Sequence, residues 1–199
     1  MLKIPDNVSI SYEEYCEELI KAEAFHGHLC GGMYNGVKMA LLAKALLPYD
    51  SFPAKDLIVI TEIDRCLTDA IISVTGTRLG RRTLKFRDWG RFAATFCSIE
   101  AGSGVRIAQQ DGIYRLTMGK LEELGTTHHD REKAAPVFFE VPLEQHFSWA
   151  VTEQEWDEND LPGKPKTRIP CEKCGETVMD GRERIKDGKN YCQPCLMNL

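Results

Sequence analysis

Apolar residues first recur at helical spacing at Tyr12, Tyr15, Cys16, Leu19 and Ile20, and the pattern breaks at Gly27. Ser11 followed by Glu14 forms a capping box ahead of that run, so a first helix is predicted from about Ser11 to Ala24. A second helix is expected from Gly32 or Met33 to about Leu47, where Pro48 stops it, with Val37, Ala40, Leu41 and Ala45 as its apolar stripe. Leu57 to Ile60 is a short, wholly apolar run and reads as a buried strand. Leu67, Ala70, Ile71 and Val74 then return to helical spacing and end at Gly76. Thr83–Phe86, Phe92–Ile99 and Val105–Ala108 read as strands, with turns at 88–90 and 101–104. A helix over Ile113–Leu124 stopped by Gly125, a short helix within Pro136–Phe147 broken at Pro142, and a strand over Trp149–Thr152 complete the pattern. Short strands in a meander, flanked by helices, predict an α+β fold with a mixed or antiparallel sheet and packed helices.

The periodicity ends in an acidic run, residues 153–160, followed by Pro162, Gly163 and Pro165. Composition shifts there and no apolar period survives. The expected organisation is a core domain over 1–152, an acidic and Pro/Gly linker over 153–168, and a small domain over 169–199.

Composition narrows the function classes. The 199 residues carry a formal net charge of -5 and a pI of about 5.6, so no global basic field draws in nucleic acid. The expectation is a cytoplasmic chain, because no apolar run approaches a membrane span and no signal peptide opens the sequence. Of the eight cysteines, the paired ones in a cytosolic chain of this size point to metal ligation rather than disulfides. Cys16 and Cys97 sit among apolar neighbours and are expected in the core.

Cys171-x-x-Cys174 and Cys192-x-x-Cys195 lie seventeen residues apart, the spacing of a four-thiolate zinc site. Each pair spans one tight turn, so both sulfurs can face one ion, and Gly175 follows the first pair. Residues 169–199 are too few to bury a core of their own, so the metal supplies folding energy. Two redox dithiols are the competing reading. From Lys164 to Lys189 eight Lys/Arg face five Asp/Glu, and Tyr191 is the one aromatic beside the cysteines. That balance suits contact with a protein partner as well as with nucleic acid.

The second concentration of chemistry is Phe25-His26-Gly27-His28-Leu29-Cys30-Gly31-Gly32. Imidazole and thiolate are the ligands late first-row metals prefer, and a cysteine beside a base is also an activated nucleophile. Cys30 is expected at a helix N-terminus, where thiolate is favoured. Cys66, after Glu62 and Asp64, falls at the matching point of the next helix and could converge with Cys30. His26, His28, Cys30 and Cys66 are therefore the candidates for a core metal or ligand site, with Cys30, His28 and Cys66 the candidates for catalysis. Between 78 and 91 six basic residues face one acid; a solvated strand face is the default, and Arg78, Arg81 and Arg82 are candidates for an anion patch. His128-His129 reads as a solvated pair in a polar loop.

The block from Phe25 to Gly32 with Gly36 and Lys38, followed by Cys66-Leu-Thr-Asp69-Ala70-Ile71, Val74-Thr75-Gly76, Gly80 and Asp88-Trp89-Gly90-Arg91-Phe92-Ala93, resembles the family of the formylmethanofuran dehydrogenase E-subunit. The resemblance covers roughly residues 10–150. It implies an α+β core in tightly associated dimers, sometimes with a C-terminal zinc finger. It also implies a connection to operons of a molybdenum or tungsten enzyme, without making the chain catalytic. Two positions depart from the pattern: Gly31 stands where the family usually has proline, and Thr77 where it commonly has a further cysteine. Asp64 or Asp69 would support the ligands from behind.

Three functional readings follow. The first is a dimeric metal-binding accessory or regulatory protein, with structural zinc in the tail and a second metal or small ligand in the core. The second is an enzyme with Cys30 as nucleophile and His26 or His28 as base, or one that uses the metal. The third is a zinc-finger regulator contacting nucleic acid. No phosphate loop, dinucleotide fingerprint or serine elbow occurs.

Overall fold

The computed structural model describes residues 3, 5, 7–49 and 52–197, and the chain divides into two units, Met1–Gln154 and Glu155–Leu199. Helix α1 (Tyr12–His26) opens where the capping box places it, with Ser11 Oγ accepting from the Glu14 N–H at 3.3 Å. It runs two residues past Ala24 and ends on Gly27, whose φ of +96° suits a residue without Cβ. That extra length makes His26 the last helical residue.

Helix α2 (Gly31–Leu46) differs from the amphipathic helix expected: every residue from Met33 to Ala43 is buried. It packs against α1, helix α3 (Cys66–Thr75), helix α5 (Arg131–Phe139) and the sheet, so no face is left for solvent. Its closest approach is to α3. A Cβ on Gly36 would stand 2.6 Å from the Ala70 Cβ and 3.1 Å from the Leu67 carbonyl oxygen, so only glycine admits that crossing.

The sheet is mixed, in the order β2-β1-β3-β4-β5. Strand β1 (Leu57–Thr61) pairs in parallel with β2 (Leu84–Phe86) across the α3 connection. It pairs antiparallel with β3 (Ala93–Ser98), which continues to β4 (Ser103–Gln109) and β5 (Phe147–Glu153). Val59, Phe96, Val105 and Val151 stand in register across four strands and build the sheet's apolar row. Ser103 and Gly104 belong to β4 rather than to the turn. A Cβ at Gly104 would come 2.2 Å from the Phe96 carbonyl oxygen, so glycine lets the strands close. Helix α4 (Ile113–Glu123) follows β4, and α5 starts at Arg131, before Pro136, because Asp130 Oδ1 accepts from the Lys133 N–H at 3.3 Å. Pro142 then caps the short helix α6 (Leu143–His146) instead of breaking one.

Two buried polar clusters brace the unit. Lys38, 1% exposed, shares its three N–H donors among four acceptors, the carbonyls of Phe138 (3.0 Å), Phe139 (2.9 Å) and Val141 (2.5 Å) and His146 Nδ1 at 3.1 Å. The other ring nitrogen of His146 meets Asn35 Oδ1 at 2.8 Å, and the Asn35 amide donates to Gln109 at 2.8 Å. Burial, with Lys38 beside it, pushes the His146 pKa down to about 3, so the ring is neutral, with its Nδ1 accepting and its Nε2 donating. Burial lowers the pKa of Lys38 to about 7, while four acceptors around one nitrogen favour its charged form. Glu62, 1% exposed, takes Arg106 through both oxygens (2.8 and 2.9 Å) and Arg91 at 2.8 Å. Burial alone would raise its pKa; the two guanidinium groups outweigh that and hold it below the ordinary value. Arg91 of the basic run therefore has a structural partner.

In the second unit a 3-10 turn (Glu158–Asp160) precedes two small hairpins, β6 (Arg168–Pro170) with β7 (Thr177–Met179) and β8 (Arg184–Lys186) with β9 (Lys189–Tyr191), then helix α7 (Gln193–Met197). Part of the segment expected as linker folds here: Asp160 pairs with Arg182 at 3.1 Å, and the Lys166 N–H donates to Asp180 at 2.7 Å. Among the described residues no helix is long and apolar enough to cross a membrane.

Candidate metal centre

The tail site is built by two knuckles. Gly175, at φ +78°, turns the chain after Cys174 and returns its N–H to the Cys171 carbonyl at 2.8 Å. The ligand sulfurs of Cys171, Cys174, Cys192 and Cys195 all lie within 4.8 Å of one another, and Cys174 and Cys192 are 3.9 Å apart. Zinc–sulfur bonds of about 2.3 Å in a tetrahedron require sulfurs about 3.8 Å apart, so the four thiolates fit zinc. Backbone N–H groups of Cys192 and Cys174 aim at the Cys171 sulfur and bring its thiol down to about 6, readying it as a thiolate.

The core site forms where α1 ends, α2 begins and α3 begins. His26 closes α1, His28 lies in the turn, and Cys30 is the N-cap of α2, its carbonyl accepting from Met33 at 2.9 Å. One ligand atom each from His26, His28 and Cys30 falls within a 4.8 Å group. Of the acids Asp64 and Asp69, the second supports the site: its Oδ2 is 2.8 Å from His26 Nδ1. That leaves His26 Nε2 buried and, among the described residues, without a hydrogen-bond partner. A buried ring nitrogen with no partner, its opposite edge held by a carboxylate, is the arrangement of a metal-ligating histidine.

Cys66, the first residue of α3, stands beside this set. Its sulfur and that of Cys30 are each 3.7 Å from where a Gly32 Cβ would be, and such a Cβ would lie 3.0 Å from the Cys66 Cβ. Gly32 thus lets the two thiols meet. Burial, then the hydrogen bond and charge of Cys30, raise the Cys66 thiol above its ordinary value. His26, Cys66 and Asp69 also line a cleft of about 520 Å³ walled by Ile72, Leu79, Leu84 and Phe86, with Asp64 and Arg65 at its polar side.

The remaining candidates lie elsewhere or in other roles. Arg78 donates to the carbonyls of Ile72 and Thr77 and stacks over Phe25 at 5.5 Å, while Arg81 is exposed and Arg82 adopts a φ of +62°. Thr77 is buried and shares a 2.8 Å hydrogen bond with Thr75. Cys97 is fully buried and Cys16 half-buried against the core. The expected solvated pair is only partly so: His129 is exposed, but its ring centre is 6.4 Å from that of His28, and His128 is half-buried. Burial, followed by His129 and His28, lowers the His128 pKa. Local pattern carries no signal for that approach across a hundred residues.

Comparisons with known proteins bear on both the core and the tail. Residues 165–197 match the prokaryotic dksA/traR C4-type zinc finger. A protein of Archaeoglobus fulgidus named "Probable S-adenosyl-L-methionine-binding protein" is 28% identical over 193 residues, covering 89% of this chain and 52% of its own length, so the chain spans about half of that relative. The crystal structure of an FmdE-like protein of the tungsten formylmethanofuran dehydrogenase type, from Syntrophus aciditrophicus, has the same fold, with a TM-score of 0.60 at 23% identity over 98% of this chain and 97% of that one. Residues 25–161 match the family described as FmdE, molybdenum formylmethanofuran dehydrogenase operon, and the chain belongs to that family.

Proposed function

We propose that the core unit binds a late first-row divalent metal, zinc foremost, through His26, His28 and Cys30, and serves as an accessory or regulatory module. The carrying observation is His26: Asp69 holds Nδ1 at 2.8 Å while the buried Nε2 has no partner among the described residues. Three protein ligands leave a fourth position for Cys66 or for a ligand in the adjoining cleft. In the tail, zinc holds the finger together, and its surface supplies contact with a protein partner or nucleic acid. A homodimer, a cytoplasmic location and a link to molybdenum or tungsten enzyme metabolism belong to the same reading, drawn from the family.

The cleft favours a second element of function. Four apolar side chains on one wall, with Asp64 and Asp69 against a single Arg65, suit a small ligand that is partly apolar and cationic. Sulfonium nucleosides are of that class, and the Archaeoglobus fulgidus relative is named for binding one. Cys66 is the weaker candidate for a nucleophile, since burial and the neighbouring Cys30 push its thiol away from thiolate.

Elemental analysis of the full chain reconstituted with zinc tests the proposal. Two zinc ions per chain, falling to one in Cys30→Ser and in His26→Ala, is the expected result. One ion in the wild type, lost only with Cys171→Ser, overturns the core site. Calorimetric titration with S-adenosyl-L-methionine tests the ligand class separately, and no heat in metal-loaded protein would remove it.

A further inference from the structure

Four imidazoles stand in succession from the half-buried His26 to the surface. Ring centres are 4.8 Å apart for His26 and His28, 6.4 Å for His28 and His129, and 4.2 Å for His129 and His128. Only the first two belong to the ligand group that includes Cys30. The outer two come from the loop between α4 and α5, which is pinned to the elements carrying the inner ligands. Tyr34 of α2 donates its hydroxyl to the His128 carbonyl at 2.9 Å, the His129 N–H donates to Thr127 Oγ1 at 3.3 Å, and Arg131 pairs with Glu23 of α1.

Two imidazoles on one ion, each bonded at about 2.0–2.1 Å, hold their ring centres about 4.5 Å apart at a right angle and about 6.4 Å apart when opposed. In the outer set the 6.4 Å between His28 and His129 matches opposed ligands, and the 4.2 Å between His128 and His129 is slightly under the right-angle value, so the rings must turn to share one ion. His28 and His129 are both exposed, so their rings can rotate to meet an ion. His128 and His129 also line an open cleft of about 710 Å³ beside Met118 and Glu122, so an ion from solvent reaches them without crossing the core.

We infer that His28, His128 and His129 form an outer, imidazole-only site for a late first-row divalent cation, and that His28, shared by both sets, passes the ion inward. The outer set lacks thiolate, so it holds zinc or nickel more weakly than a set containing Cys30 and releases it toward that set. The transfer half rests on the inner site proposed above; the outer site stands without it.

Nickel titration of the full chain, with zinc retained in the tail and the inner set disabled by Cys30→Ser and His26→Ala, reads the outer site alone. One Ni²⁺ per chain is expected, with affinity at least tenfold weaker when His128→Ala and His129→Ala are added. No bound nickel, or binding unchanged by the added substitutions, overturns the outer site. With the inner set intact, stopped-flow zinc loading should slow about tenfold in the His128→Ala, His129→Ala protein while its final zinc affinity is unchanged. An unaltered loading rate overturns the transfer. Both substitutions lie in a polar surface loop, and a circular-dichroism melt matching wild type certifies the fold.

Discussion

His26 Nδ1 and Asp69 Oδ2 are 2.8 Å apart, though 43 residues separate them in the chain. The pair joins the last residue of α1 to the first turn of α3 and sets which nitrogen of His26 is left for the proposed metal. Asp69→Asn keeps the size of the side chain and removes its charge. Core zinc affinity should fall by about 10- to 100-fold, measured by competition with a chromophoric chelator, while the tail ion stays bound. An unchanged affinity would remove Asp69 from the site.

Gly36 is the contact on which α2 and α3 close, with no room between Ala70 and Leu67 for a methyl group. Gly36→Ala should cost about 1–3 kcal/mol through forced separation of the helices, despite the better helix propensity of alanine. Urea unfolding followed by circular dichroism measures it. Because Cys30 and Cys66 ride on the same two helices, core metal affinity should drop in the same variant.

His146 is neutral and fully buried, its pKa pushed down to about 3 by burial and by Lys38. The unfolded chain protonates this histidine below its ordinary value of about 6.5, whereas the folded chain does so only near the lowered one. The unfolded state therefore binds more protons between the two values, and stability falls as pH drops from about 6.5 toward 3. The expected slope from this group is about 1 kcal/mol per pH unit. His146→Gln retains an acceptor and a donor and should flatten that part of the profile, measured as unfolding free energy at pH 7 and pH 5. An identical slope in both proteins would exclude His146 as its origin.

Residues of the tail hairpins are mostly exposed, so its four sulfurs are the main internal tie available to it. Removing zinc with a strong chelator, or Cys171→Ser, should abolish amide protection over residues 165–197 in hydrogen exchange while residues 12–153 retain theirs. Full protection of the tail in the chelated protein would show that zinc is dispensable for its folding.

Features carried by neighbouring residues are legible in the sequence alone. Cys171, Cys174, Cys192 and Cys195 declare a tetrahedral site because each ligand pair is closely spaced, and the grouping of His26, His28 and Cys30 is visible because the three fall within five residues. The helices α1 and α3 are visible in a cap and a periodic apolar face, since both arise from contacts within one or two turns. Helix α2 is visible as a helix, but its complete burial is not, because that depends on how many elements surround it. The choice of Asp69 over Asp64, the meeting of Cys66 with Cys30 across Gly32, and the parallel pairing of β2 with β1 arise from folding distant segments together. The same holds for Lys38 against His146, 108 residues apart, and for His129 against His28. A side chain's local neighbours constrain its backbone, whereas the partner it meets across the core is set by packing, which no short stretch of chain encodes.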